Sequence, residues 1–300
     1  IHRWSHRDAV DRIDFSPDGR LIASASDDQT VRIWETDSGW ESSVSPLVHR
    51  LDVDIAKFSP DGNWLGTVAD SEVRVWRFED FREPPLVFPL EDVTTGQLSP
   101  SGQWAAAGSA SGLIGQWQTA NGQVRHPEIS HQAAISQLVY SPNGQWLVSG
   151  DMVGMVRVWE AQTGMLVTEE LLHRNPISAM LMPKDDLLLV VHDRIIQSWS
   201  LPSGEQGPEI VVSSPVTIAA ASAVGNFVAF GTEAGNALVC DATNLAQIYD
   251  FPHNAAINSL DFSGHLLASA SDDWSAHIWD LRTGQELSRP MGHGGEVTSI

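Results

Sequence analysis

Eleven histidines, one cysteine and two Ser-Asp-Asp triplets are the residues of this 300-residue chain whose types could do chemistry. Imidazoles, thiolates and carboxylates hold zinc, but a zinc site needs three or four of them converging. No Cys-x-x-Cys occurs, and no His-x-x-x-His pair stands where such ligands would be expected. The triplets at 26–28 and 271–273 could serve as an acid pair for proton transfer or metal binding. A serine hydrolase would show its nucleophile in a Gly-x-Ser-x-Gly elbow. Residues 108–112 read Gly-Ser-Ala-Ser-Gly, which is a different order. No glycine-rich phosphate loop or dinucleotide fingerprint is present. The sequence therefore predicts no cofactor and no metal, and the expectation is that the chain is not an enzyme. Cys240, standing alone, excludes an internal disulfide framework and is compatible with a reducing, cytoplasmic setting.

The histidines and triplets take their meaning from the elements that place them. Six of the histidines (His6, His49, His131, His173, His253 and His293) recur in the same turn of a repeat. The repeat is anchored by Trp34, Trp76, Trp117, Trp159, Trp199, Cys240 and Trp279, with spacings of 42, 41, 42, 40, 41 and 39. Ahead of the anchors stand turn sequences such as Ser-Pro-Asp-Gly at 16–19 and 59–62 and Ser-Pro-Asn-Gly at 141–144. Pro fixes φ, Asp or Asn bonds its own backbone, and Gly accepts a positive φ. In the first unit this turn joins apolar runs at 10–15 and 21–26. A β-branched and aromatic run follows at 30–34, and a weaker one at 43–48. Each unit reads as four short strands. No four-stranded unit buries both of its faces alone, and radial stacking of seven supplies each with neighbours. The prediction is an all-β fold, a seven-bladed β-propeller with four antiparallel strands per blade.

The units resemble WD repeats (WD40), and the resemblance covers essentially residues 6–293. In that family a His, a Ser or Thr, an Asp and the Trp form a hydrogen-bonded set within each blade. Carried over, the first blade has His6, Ser24 or Ser26, Asp28 and Trp34. The second has His49, Thr67, Asp70 and Trp76, and the seventh His253, Ser269 or Ser271, Asp273 and Trp279. The fifth keeps His173, Asp193 and Trp199 without an evident hydroxyl, and in the fourth Val153 stands at the Asp place. The third and sixth lack the His and Asp, so apolar packing is expected to hold them. The stretches from Ile1 to Trp4 and from Val297 to Ile300 resemble pieces of flanking repeats. The expectation is a single propeller over 1–300, cut from a longer array or multidomain protein.

The net charge is −21, from 17 basic and 38 acidic residues. A field of that sign repels phosphate backbones and anionic lipid, so neither nucleic acid nor membrane is an expected partner. No stretch approaches the roughly 18 apolar residues of a membrane span. The family resemblance implies a protein-binding scaffold or regulatory module. Its partners would be other proteins, basic ones favoured by charge, or further domains of its own longer chain. Loops vary where partners bind while strands keep the frame. The candidate partner-binding residues on those loops are Trp274, Asp272, Asp27, Arg7, Arg50, Met152, Arg174 and His192. Trp274 leads, because other blades put Gln29, Gly112, Gly154 or Gly235 in that turn. An exposed Trp has the composition of a binding hot spot. Two alternatives stay open on sequence alone: an enzyme or ligand-binding protein using the central channel, and a rigid architectural spacer. By contrast, Trp64, Trp104 and Trp146 each follow a turn by two residues and are expected in the core between blades.

Overall fold

The Ser-Pro-Asp-Gly turn closes on itself through its own side chains. Ser16 Oγ donates to Asp18 Oδ1 at 2.6 Å, Arg20 N–H donates to the same oxygen at 3.0 Å, and Leu21 N–H donates to Ser16 Oγ at 2.9 Å. Gly19 takes φ +70°. The turn so fixed joins β1 (Val10–Phe15) to β2 (Leu21–Ser26), followed by β3 (Thr30–Glu35) and β4 (Leu47–Val48) in one antiparallel sheet of that order. The fourth strand is shorter than the run at 43–48 suggests, with a separate bridge from Trp34 to Glu41 ahead of it.

The computed structural model describes residues 4–69, 72–78, 84–223, 225–287, 291–293, 295, 297 and 298. Seven sheets of this kind follow along the chain. In the seventh the outer strand comes in two pieces, Gln285–Glu286 and Met291–Gly292, both paired to Ser275–Asp280. The chain is a seven-bladed, all-β propeller with four antiparallel strands per blade. By its contacts it divides into two compact units, Ile1–Leu147 with Trp159–Met165, and Val148–Val158 with Leu166–Ile300.

Within the first unit, blades one and two share a core of Ala25, Ile33, Leu47, Val53, Phe58 and Leu65. Blades two and three share Val75, Phe88, Leu98 and Trp117. Within the second unit, blades five and six meet at Leu189, Ile196, Val228 and Phe230, and blades six and seven at Val239, Phe251, Ile257 and Leu267. Small residues let these faces approach. A Cβ added at Gly231 would lie 2.6 Å from Ile257 Cγ2, and one at Gly108 2.6 Å from Ile135 Cγ2. The β-branched side chain thus fills the space that a side chain on its neighbour would need.

Trp64, Trp104 and Trp146 are half-buried at the starts of their strands, and Trp64 packs against the core shared by blades two and three, as its sequence position predicts. The Arg125 guanidinium lies over the Trp104 ring, 4.2 Å from its centroid.

Trp4 stacks on Trp34 with ring centroids 5.8 Å apart, as Phe88 stacks on Trp117 (5.1 Å) and Phe251 on Trp279 (4.3 Å). At the other end Val297 N–H donates to Ser271 O at 3.2 Å, as Val53 N–H does to Ser26 O. Both match places that repeat elsewhere in the chain. Residues 1–3, 299 and 300, which the flanking-repeat reading also included, lie outside the described residues.

Candidate functional site

Among the described residues, two blades carry a complete His-Ser-Asp-Trp set. In blade one the Trp34 indole donates to Ser24 Oγ at 2.8 Å, Ser24 Oγ and His6 Nε2 lie 2.6 Å apart, and His6 Nδ1 lies 2.9 Å from Asp28 Oδ2. In blade seven the corresponding distances are 3.0 Å (Trp279 to Ser269), 2.8 Å (Ser269 to His253) and 3.2 Å (His253 to Asp273). The hydroxyls in the set are Ser24 and Ser269. Ser26 and Ser271 instead accept the N–H of Asp28 and Asp273, both at 3.1 Å. Each carboxylate also accepts the main-chain N–H of the residue after the histidine: Arg7 at 3.0 Å and Asn254 at 2.9 Å.

Burial raises the pKa of these two carboxyls, but the hydrogen bonds outweigh it. Asp273 is held down at about 2 by Asn254 N–H, Ser275 and His253, and Asp28 lies lower still through Arg7 N–H, Thr30 and His6. Carboxylates so tied make poor general bases. The Ser-Asp-Asp triplets thus hold turns in place, and their second acids are bonded within the blade.

The other blades depart from this pattern in different ways. In blade two Trp76 donates to Thr67 Oγ1 at 3.0 Å, and the His49 ring stands edge-on to Trp76 with centroids 5.9 Å apart. Burial is the main cause lowering the His49 pKa to about 4. Asp70, expected to complete that set, lies outside the described residues. In blade four Val153 is exposed, and Asp151, two positions earlier, accepts the N–H groups of Val153 (3.0 Å) and Met155 (2.9 Å). In blade three Trp117 lies over Gly115 and stacks on Phe88. In blade six Cys240 is buried in the apolar cluster, and burial raises its pKa to about 11, which leaves the thiol protonated and unreactive. Blade five breaks the expected set: Asp193 is exposed at φ +58° and makes no bond to His173. Its turn has two residues between paired strands, where blade one has three.

The rim residues separate into exposed and buried. Trp274 is 56% exposed and its backbone is held at φ +68°, with its N–H on Ser271 O (3.2 Å) and its carbonyl accepting His293 N–H (2.8 Å). The turn is fixed and the indole is left in solvent. Asp272 beside it accepts Asn258 Nδ2 at 2.5 Å. Met152, 52% exposed, occupies the corresponding turn of blade four. Arg174 is exposed in the second unit, and Arg7 and Arg50 are exposed in the first. Asp27 is half-buried, and a hydrogen bond with Asp11 is the largest cause raising its pKa. His192 corrects the sequence reading: it is 5% exposed and lines a cavity, at a strand end where Ser26, Ser109, Asp151, Thr232 and Ser271 are likewise buried. Sequence reading also passed over Trp40, 76% exposed in the connection after β3. Its signal was there, since Gln123, Glu205 and Gln285 stand at matching places. Among the described residues no group of three or more His, Cys, Asp or Glu could hold a metal, and no helix is long and apolar enough to cross a membrane.

The model of the WD domain, G-beta repeat (WD40), matches residues 1–35, 43–77, 123–160 and 245–280. The chain is similar to apoptotic protease-activating factor 1 of Rattus norvegicus, 24% identical over 98% of this chain and 24% of that protein. The Homo sapiens protein of the same name is 23% identical over the same shares. The chain thus spans about a quarter of the length of these relatives. Among solved structures it is similar in fold to the computationally designed protein Ika8, with a TM-score of 0.85 and 24% identity over 98% of this chain and 90% of that one. Sqt1 of Saccharomyces cerevisiae gives a TM-score of 0.84 with 17% identity, over 98% and 88%.

Proposed function

Because the chain is a WD-repeat β-propeller, we propose that it is a non-catalytic protein-interaction scaffold, the sensing or regulatory module of a larger protein. The observation that carries this reading is Trp274. Its backbone takes a left-handed conformation that L side chains adopt at a cost, in a turn where Gly112, Gly154 and Gly235 stand in other blades. Its indole still lies mostly in solvent. A large apolar side chain kept in a strained, exposed turn is better explained by a partner than by this fold's own packing.

In the second unit Asp272, Met152 and Arg174 extend the contact. In the first unit Arg7, Arg50 and Asp27 stand at matching loops. The net charge of −21 favours a basic partner, steered in quickly at low salt and slowed as salt rises. The similarity to apoptotic protease-activating factor 1 over a quarter of its length supports a module working beside other domains of one chain.

The test is quantitative affinity capture from lysate of the cells that make the protein. Parent chain, Trp274→Ala and Trp40→Ala are compared. The reading expects one protein enriched by the parent and by Trp40→Ala but lost with Trp274→Ala. Equal enrichment by all three removes Trp274 from the site, and no specific enrichment turns the reading toward a rigid spacer.

A further inference from the structure

Blade five has lost the carboxylate that caps blades one and seven, yet keeps the donors that hold it there. In those blades the carboxylate accepts from the histidine Nδ1 and from the main-chain N–H of the following residue. In blade five the matching donors belong to His173 and Arg174. The Trp199 indole donates to His173 Nε2 at 3.2 Å, so the proton of the neutral imidazole sits on Nδ1. No well-formed hydrogen bond reaches that Nδ1, although weak ones from the ring to the Gly154 and Leu171 carbonyls raise its pKa. The Nδ1 of His192, whose ring centroid is 5.0 Å away, also has none. Both histidines are more than nine-tenths buried. A buried polar atom left unpaired calls for an explanation.

Beside these rings lies a cavity of about 350 Å³, lined by His173, His192, Arg174, Gln197 and Glu209 among others. Cavities of roughly 300–1,000 Å³ with a few convergent polar groups are those that take small molecules. Among the described residues neither Arg174 nor Glu209 has an ion pair, and these exposed side chains bring one positive and one negative charge to the wall.

We propose that this cavity is a binding site for a small zwitterion of the α-amino acid class. The ligand's carboxylate takes the place of the missing Asp, accepting from His173 Nδ1 and the Arg174 N–H beneath the Arg174 guanidinium. Its ammonium faces Glu209. A zwitterion also suits a chain of net charge −21, which repels a simple anion but not a neutral molecule. Arg174 is shared with the proposed protein-binding surface, whereas His173 and His192 belong to this site alone, so the ring signals report on it separately.

The experiment is a titration of the full chain, with histidine ring nitrogens labelled, followed by NMR with glycine, acetate or sodium chloride. The site expects saturable shifts of His173 and His192 with glycine. Acetate should bind about tenfold more weakly, and chloride should leave both rings unmoved. Arg174→Ala removes only an exposed guanidinium and should weaken glycine about tenfold. His192→Ser installs the residue found at Ser26, Ser109 and Ser271 and should also weaken it. Overturning results are no saturable shift with glycine, acetate binding as well as glycine, or glycine affinity unchanged in both variants.

Discussion

Trp199 donates its indole N–H directly to His173 Nε2, whereas in blade one the same link runs from Trp34 through Ser24 to His6. The residue in the hydroxyl's place is Val190, which pairs with Gln197 as Ser24 pairs with Arg32.

That substitution can be reversed. A buried serine ordinarily costs about 1–3 kcal/mol when its hydroxyl finds no partner. In Val190→Ser the new hydroxyl has Trp199 and His173 to bond, so the change in urea stability should stay within about 1 kcal/mol. Val239→Ser, at an equally buried apolar position, supplies the comparison and should cost more. Equal losses in the two variants would contradict the proposed relay.

Acid should weaken the fold in two stages. Burial lowers the pKa of His49 and His173 from 6.5 to about 4, so the unfolded chain takes up protons first and stability falls as pH drops from 6.5 toward 4. The Asp273 pKa is depressed from 3.8 to about 2, so its contribution is full above 3.8 and lost as pH falls through about 2. That contribution is roughly 2 kcal/mol. Urea midpoints measured down the pH scale should show both stages. Asp273→Asn should shrink the second and leave the first, and midpoints that stay flat between about pH 7 and 4.5 would count against buried neutral histidines.

Trp274→Gly separates a partner role from a packing role. Removing a left-handed Trp relieves about 1–2 kcal/mol, and the added chain entropy of Gly returns about 0.5–1. Thermal unfolding should therefore be unchanged or slightly later, while capture of a partner is lost. A clear drop in melting temperature would show that the indole packs on the blade.

Gly231→Ala should destabilise by about 1–3 kcal/mol, because its Cβ would meet Ile257 at 2.6 Å and Ile218 at 2.7 Å. Gly264→Ala has open space around it and carries only the cost of φ +59°, about 1 kcal/mol. Denaturant titrations should rank the two in that order, and the reverse ranking would refute the close-approach account.

The number of blades, the strand order and the places of His6, Asp28 and Trp34 were legible in the sequence. Turn chemistry and the spacing of aromatic anchors are local properties repeated seven times, and repetition separates signal from accident. Which hydroxyl joins each set was not legible. Ser24 and Ser26 stand two apart and so share one face of β2, and only the placement of the neighbouring Trp and His decides between them. The fate of blade five was hidden for the same kind of reason. Asp193 follows the right residue type in the right order, but its turn is one residue shorter and it stands in solvent. Exposure, too, was left to the tertiary structure. Trp274 and Trp104 are the same residue type in repeats of the same fold, yet one stands in water and the other lies half-covered under Arg125. Sequence period determined the frame, because each strand's pattern is set within a few residues. Packing decided which polar atoms found partners, because those partners come from another strand or blade.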